Sequence, residues 1–165
     1  MTQASGDAGI EAFAQSVELA LAQAYQELAS TGRITTLAAV DATTSCATHH
    51  QEHARALGDA AGSSAASGPN AKLVGTFRTQ IRNAPDESAA LGVVLGLENQ
   101  AASTYLFVLG ALEASEALQL AASILPVESE HAVALAELLG KNPRETFPPF
   151  ETQDQALKPD QFPAP

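Results

Sequence analysis

The sequence predicts an all-α fold: a four-helix bundle with a long crossover between its second and third long helices. Three observations carry this expectation. Alanine and leucine abound, aromatic residues make up 5%, tryptophan is absent and β-branched runs are scarce, a composition that favours helices. Apolar residues recur at helical spacing in four long stretches. Between the second and third stretch lie about 25 residues without a bundle-length helix, far more than neighbouring antiparallel helices need and enough for a crossover along the bundle. At 165 residues the chain is long enough for one domain with a proper core.

Residues 1–7 are small and polar, with Asp7 a candidate N-cap. The first helix runs from residue 8 to about Ser30 on the stripe Ile10, Phe13, Ala14, Val17, Leu21, Tyr25 and Leu28, with Glu18 on that side and Gly32 as its stop. The second begins near Thr35 and ends near Gly62, with Leu37, Val40, Cys46, His50, His53 and Leu57 along one side. Residues 62–70 are a linker by composition, and a short helical piece follows, marked by Leu73, Val74, Phe77 and Ile81. The third helix spans Asp86 to Leu112, with Leu91, Leu95, Glu98, Ala102, Tyr105, Val108 and Leu112 on one face. After a tight turn at residues 113–116 the fourth continues to Leu139 and Gly140, with Leu118, Ala121, Leu125, Glu128, His131, Leu135 and Leu138 inward. Pro126 lies inside it, lacks an N–H and crowds the carbonyl four residues back, which predicts a kink or bulge just before Glu128. These helices make one domain, residues 8–140. Residues 141–165 hold six of the nine prolines together with Phe147, Phe150 and Phe162. They read as an extended C-terminal tail that lies on its own bundle, reaches a neighbouring subunit or stays disordered.

Nineteen acidic against eight basic residues give a net charge of −11, and through residue 140 the balance is fifteen to five. Nucleic acid is excluded as an expected partner, because binding it needs a basic stripe to displace counterions. The same acidity disfavours docking on anionic lipid. No window approaches the roughly 18 uninterrupted apolar residues of a membrane span. The start, Met-Thr-Gln-Ala-Ser-Gly-Asp, lacks the blocks of a secretory leader, so a cytoplasmic protein is expected; export behind a trimmed leader fits the same residues. The single cysteine, Cys46, excludes an intrachain disulfide.

The chemistry starts at Glu128 and His131. Three residues apart, they share a helix face that otherwise reads as core. A carboxylate there must be hydrogen-bonded, open to a cleft or bound to metal, since burying it unpaired is prohibitive. Alone, the pair is read equally well as a satisfied polar contact. It is not alone, however, because the chain repeats itself. The first helix has Glu18 and, seven residues on, Tyr25; the third has Glu98 and, seven residues on, Tyr105. A histidine follows each glutamate after 35 and 33 residues, His53 before Ala54 and His131 before Ala132. Overlaying the halves puts His50 where Glu128 sits. The inward set is then Glu18, His50, His53, Glu98, Glu128 and His131, from four helices. Carboxylate-bridged di-metal bundles use this plan, one Glu from each of two helices and a Glu-x-x-His pair from each of the others. Three carboxylates and three imidazoles suit iron, manganese or zinc.

With these motifs the sequence resembles the ferritin-like superfamily, in the small bacterial branch whose last helix reads like Ile124-Leu-Pro-Val-Glu-Ser-Glu-His-Ala132. The likeness covers roughly residues 8 to 140. It implies a ferritin-like four-helix bundle in which Glu18 and Glu98 are terminal ligands, His53 and His131 each hold one metal, and Glu128 bridges. It also implies metal cofactors, iron first, and redox chemistry with dioxygen or peroxide, of a ferroxidase or oxidase kind. A homo-oligomer, with a dimer as the first form, is the expected assembly. The alternative is a non-catalytic ferritin-like bundle with a stress-related or scaffold role.

His50 departs from the family pattern. Where that pattern has a second bridging glutamate, His50 removes a negative charge, and two divalent cations against three carboxylates leave a net charge of about +1, favouring a mixed, asymmetric or single-metal site. Cys46, four residues before His50, shares its face and reads as a small buried apolar residue, or as a thiolate near a redox centre. His49 is expected elsewhere, about 100° round the helix from His50. Glu52, Glu130 and Arg55 are expected at a solvated surface. Tyr25 and Tyr105 read as core residues, or as catalytic groups beside Glu128; buried, their hydroxyls need acceptors, and a glutamate one or two turns away is the candidate.

Overall fold

A computed structural model of the chain describes residues 6–142 and 151–165. These contain five α-helices and one 3-10 turn, and no strand. Four helices are long: α1 (Asp7–Ser30), α2 (Leu37–Ala61), α4 (Glu87–Ala111) and α5 (Ser115–Leu138). The shorter α3 (Ala71–Asn83) lies in the connection between α2 and α4, after a 3-10 turn at Gly62–Ser64. Helix α1 packs against α2, α3 and α4, while α5 packs against α4 and α2.

Helix ends follow local chemistry. Helix α1 stops at Ser30 because Gly32 takes φ 65°, a left-handed conformation that glycine adopts without a Cβ penalty. Gly62 closes α2 in the same way at φ 56°. Asn70 caps α3 by accepting from the Lys72 and Leu73 amides, and Asp86 caps α4 by accepting from the Ala89 amide. Asp7 does not cap α1. It is the first residue of that helix, and its carboxylate accepts from the amides of Glu113 and Ala114, 2.9 and 2.6 Å away, tying the α4–α5 turn to the start of the chain.

The inward stripes of α1 and α4 match the sequence expectation; on α5 Ala121, Glu128, His131 and Leu135 are buried as expected, whereas Leu118, Leu125 and Leu138 are half-buried and Ala117, Ile124, Ala132 and Ala136 are buried instead. At the start of α2 the stripe is different: Leu37 is 80% exposed and Val40 38%, and the inward residues are Ala39, Thr43, Cys46, His50, Ala54 and Leu57. Pro126 also differs. Helix α5 is α-helical throughout, so of the expected kink or bulge the bulge is absent; the proline is exposed, and the carbonyl of Ala122, which loses its partner, belongs to an exposed residue that water can reach.

Residues 151–165 lie along their own chain. The Leu157 amide donates to Thr104 Oγ1 at 2.9 Å, and the Leu157 side chain is buried. Ser103 Oγ donates to the Thr152 carbonyl, and Asn70 donates to that of Pro163. Phe162 packs partly buried against the core, with Lys72 Nζ 4.6 Å from its ring centre. Helix α4 buries Val94, Leu97 and Ala101 as well as its predicted face. Phe147 and Phe150 lie outside the described residues. No helix among the described residues is long and apolar enough to cross a membrane.

Candidate metal centre

The helices bring all six residues of the sequence-derived set to one place. Two groups form, Glu18 with His50, His53 and Glu128, and Glu98 with His50, Glu128 and His131. Each is a set of donor atoms within 4.8 Å of one another, a grouping that can hold a metal ion. His50 and Glu128 belong to both. Glu18, His50, Glu98 and Glu128 are fully buried, whereas the side chains of His53 and His131 are 13% and 6% exposed.

The two halves face each other across a pseudo-twofold arrangement. Tyr105 Oη donates to Glu18 Oε1 at 2.6 Å, and Tyr25 Oη donates to Glu98 Oε1. Each tyrosine therefore serves the glutamate of the other half and not the one two turns away on its own helix. The crossing of α1 with α4 sets this exchange. Burial, and then the facing carboxylate, push both phenols well above their usual range, so both remain donors.

His50 lies at the centre, stacked on Tyr25 with ring centres 5.5 Å apart. Its Nδ1 is 2.8 Å from Glu18 Oε2 and its Nε2 is 3.1 Å from Glu98 Oε1. Burial acts against its charge, but the carboxylates of Glu98, Glu128 and Glu18 dominate and raise the imidazole well above its usual range. The effect is mutual. Burial pushes Glu18 up, yet His50 and His53 overcome it and hold the carboxyl down at about 2. His50 and His131 likewise hold Glu98 well below the ordinary range against the push of burial. His53 and His131, opposed by burial but facing Glu128 with Glu18 or Glu98, rise to about 9.

Glu128 is the exception. Burial and the charge of Glu18 raise its carboxyl, and neither of its oxygens has a hydrogen-bond partner. His53 Nδ1 approaches Glu128 Oε1 at 2.9 Å without hydrogen-bond alignment, and His131 Nδ1 approaches Oε2 only to 3.6 Å, too long for a hydrogen bond. His53 Nδ1 is buried and unpartnered too. Donor atoms turned toward one another without hydrogen bonds fit a cation between them.

His49 was missed. Its residue is exposed, yet its Nδ1 is 2.8 Å from His131 Nε2. The rotation that takes position 49 away from His50 turns it toward α5, which packs on α2. The signal was its adjacency to His50 on a helix flanked on both sides. Glu52 pairs with Arg55 at the surface and Glu130 is exposed, as expected. Cys46 is buried beside Tyr25, and burial together with the Glu98 charge pushes its thiol up to about 12, so it is a neutral, small buried side chain.

Three glutamates and three histidines gathered in the interior of a helical protein form a group that can hold a metal ion. Residues 6–141 match the family described as "Ferritin-like domain". The chain belongs to this ferritin-like family. No curated protein and no solved structure matches it.

Proposed function

We propose that this chain is a metal-binding ferritin-like protein that carries out redox chemistry with dioxygen or peroxide, as a ferroxidase or oxidase. Its four long helices are read as the family's four-helix bundle, with α3 in the crossover, residues 8–140 as the domain and residues 141–165 as an added tail. The metal ligands are Glu18, His50, His53, Glu98, Glu128 and His131, with iron the first candidate and manganese or zinc next. The carrying observation is Glu128, a fully buried carboxylate whose oxygens have no hydrogen-bond partner among three imidazoles and two other carboxylates.

When bound, a redox-active ion would supply the electrons that reduce the oxidant. The chain's own residues do the rest. Glu18 and Glu98 are fixed by the tyrosine hydroxyls, His50 is clamped between them, and full burial of these three and of Glu128 keeps bulk water from the carboxylates. Glu128, common to both groups, is the residue on which the whole set depends. Tyr25 and Tyr105 hold their protons one hydrogen bond from the terminal carboxylates, where they are positioned for a catalytic part. The test is consumption of dioxygen and peroxide by iron-loaded protein, compared with Glu128→Ala and His131→Ala. Loss in both variants supports the reading, and equal consumption by all three overturns it.

One observation favours a second reading, a non-catalytic bundle with a stress-related or scaffold role. His50 meets Glu18 and Glu98 through both ring nitrogens, so a proton-bearing imidazole already supplies positive charge to the cluster. That reading predicts no stoichiometric metal. Assembly is proposed as a small homo-oligomer, a dimer first; a light-scattering mass near monomer or dimer excludes a storage cage.

A further inference from the structure

The two halves of the cluster are not equivalent, and the difference lies outside the ligand set. Overlaying the repeats pairs His53 with His131 and His50 with Glu128; it then pairs His49 with Val127. A histidine that offers Nδ1 to an ion must carry its proton on Nε2, and that N–H needs an acceptor that fixes the tautomer and the ring. His131 turns Nδ1 inward, toward Glu98 Oε2 at 3.1 Å and Glu128 Oε2 at 3.6 Å. Its Nε2 meets His49 Nδ1 at 2.8 Å, with the two ring planes within 18°. His49 accepts there when its own proton is on Nε2. That tautomer costs little, because His49 is exposed and water can accept from it.

His53 has no such support. Its Nδ1 is buried and turned toward Glu128, its ring is 13% exposed, and no hydrogen bond to either ring nitrogen is formed among the described residues. Val127, at the position corresponding to His49, has no polar side-chain atom with which to provide one.

We propose that His49 is the positioning residue of His131, and that its N–H···N hydrogen bond makes the Glu98–His131 half of the cluster the tighter metal-binding half. This rests on the reading that the cluster binds metal. His49 is not itself a ligand. It holds the proton of His131 on the outer nitrogen, so that the inner nitrogen is the one an ion can take.

Zn²⁺ is the probe, titrated into metal-free full-length protein in competition with a chromophoric chelator. The variants are His49→Phe, which keeps a ring and loses the acceptor, and His49→Asn, which keeps a short acceptor. The first Zn²⁺ equivalent should bind about 10–100-fold more weakly in His49→Phe, the usual effect of losing such a partner, and recover at least partly in His49→Asn. Long-range ¹H–¹⁵N spectra of the Zn²⁺-loaded wild type should show His131 protonated on Nε2 and metal-shifted on Nδ1, with His49 metal-free. Circular dichroism checks that the exposed substitutions leave the fold intact. Equal first-site affinity in wild type and His49→Phe overturns the proposal, as does a metal-shifted His49. A wild type that binds no Zn²⁺ at all refutes the underlying metal-binding reading, and is distinct from either result.

Discussion

Replacing His50 with glutamine removes the one cation that touches both Glu18 and Glu98 while nearly preserving volume. In the metal-free protein those carboxylates are fully buried and lie 2.8 and 3.1 Å from the two His50 nitrogens. The glutamine amide is uncharged and presents one nitrogen where His50 presents two on opposite sides of its ring, so at least one carboxylate loses its neutralising partner. That carboxylate keeps its tyrosine hydroxyl and the His53 or His131 imidazole, loses the His50 charge, and escapes by taking a proton. From the ordinary carboxyl value of 4.5 this costs, at pH 7, about 1.36 kcal/mol per unit, or roughly 3.4 kcal/mol. That agrees with the ~3–5 kcal/mol typical of breaking a buried ion pair from one side. For a chain of this size each kcal/mol moves Tm by roughly 2–4 °C, so a drop of about 6–20 °C is expected. The pH dependence provides a second signature. A carboxyl whose folded value is raised binds more protons folded than unfolded, so the variant should gain stability as pH falls from 7 to 5. In the wild type Glu18 sits at about 2, and its contribution, fully present above 4.5, is lost only as pH falls through 2. Thermal unfolding in chelator at pH 5, 6 and 7 measures both. A loss below about 1 kcal/mol, less than the usual worth of a hydrogen bond to a charged group, with no gain toward pH 5, would refute the view that His50 neutralises the two glutamates.

Three more outcomes follow from the same geometry. His53 and His131 rise to about 9 in the folded chain from an ordinary 6.5, so their stabilisation is fully present below pH 6.5 and lost as pH rises through 9. Tm in chelator should therefore fall between pH 6.5 and 9.5, and metal-loaded protein, which no longer depends on those protons, should not follow it. Glu128→Gln should leave metal-free stability unchanged or higher, because burial and Glu18 already oppose its charge, yet it should weaken metal binding by more than the roughly 10–100-fold of a supporting residue. Equilibrium dialysis against Zn²⁺ reads the second effect and calorimetry the first. Tyr105→Phe removes the donor to Glu18 and should cost about 1.5–3 kcal/mol in chemical denaturation, with the fold retained.

Periodicity and punctuation carried most of the fold. Gly32, Gly62, Asn70 and Asp86 mark helix ends with residues chosen for backbone conformation or capping, and those choices are local enough to read in one dimension. The six-residue cluster was readable because two halves repeat the same spacing, so each half supported the other. What escaped depends on how helices sit against one another. The exchange of tyrosine hydroxyls between halves follows from the α1–α4 crossing, and no spacing along one helix contains it. Leu37 and Val40 fit a helical stripe that α2 does not bury at its start. His49 is on the wrong face for the cluster by helix rotation alone, and joins it only because α5 lies on that side. Pro126 suggested a bulge, but an exposed position lets water take the freed carbonyl, so the helix continues.

The most direct test is metal content. The protein should be purified without added chelator, stripped, reconstituted anaerobically with Fe²⁺, Mn²⁺ or Zn²⁺, desalted and measured by plasma emission beside Glu128→Gln carried through the same steps. The account predicts at least one tightly held equivalent per chain in the wild type and its loss in the variant. No stoichiometric metal in the wild type with any of the three ions, or equal loading of both proteins, would contradict it.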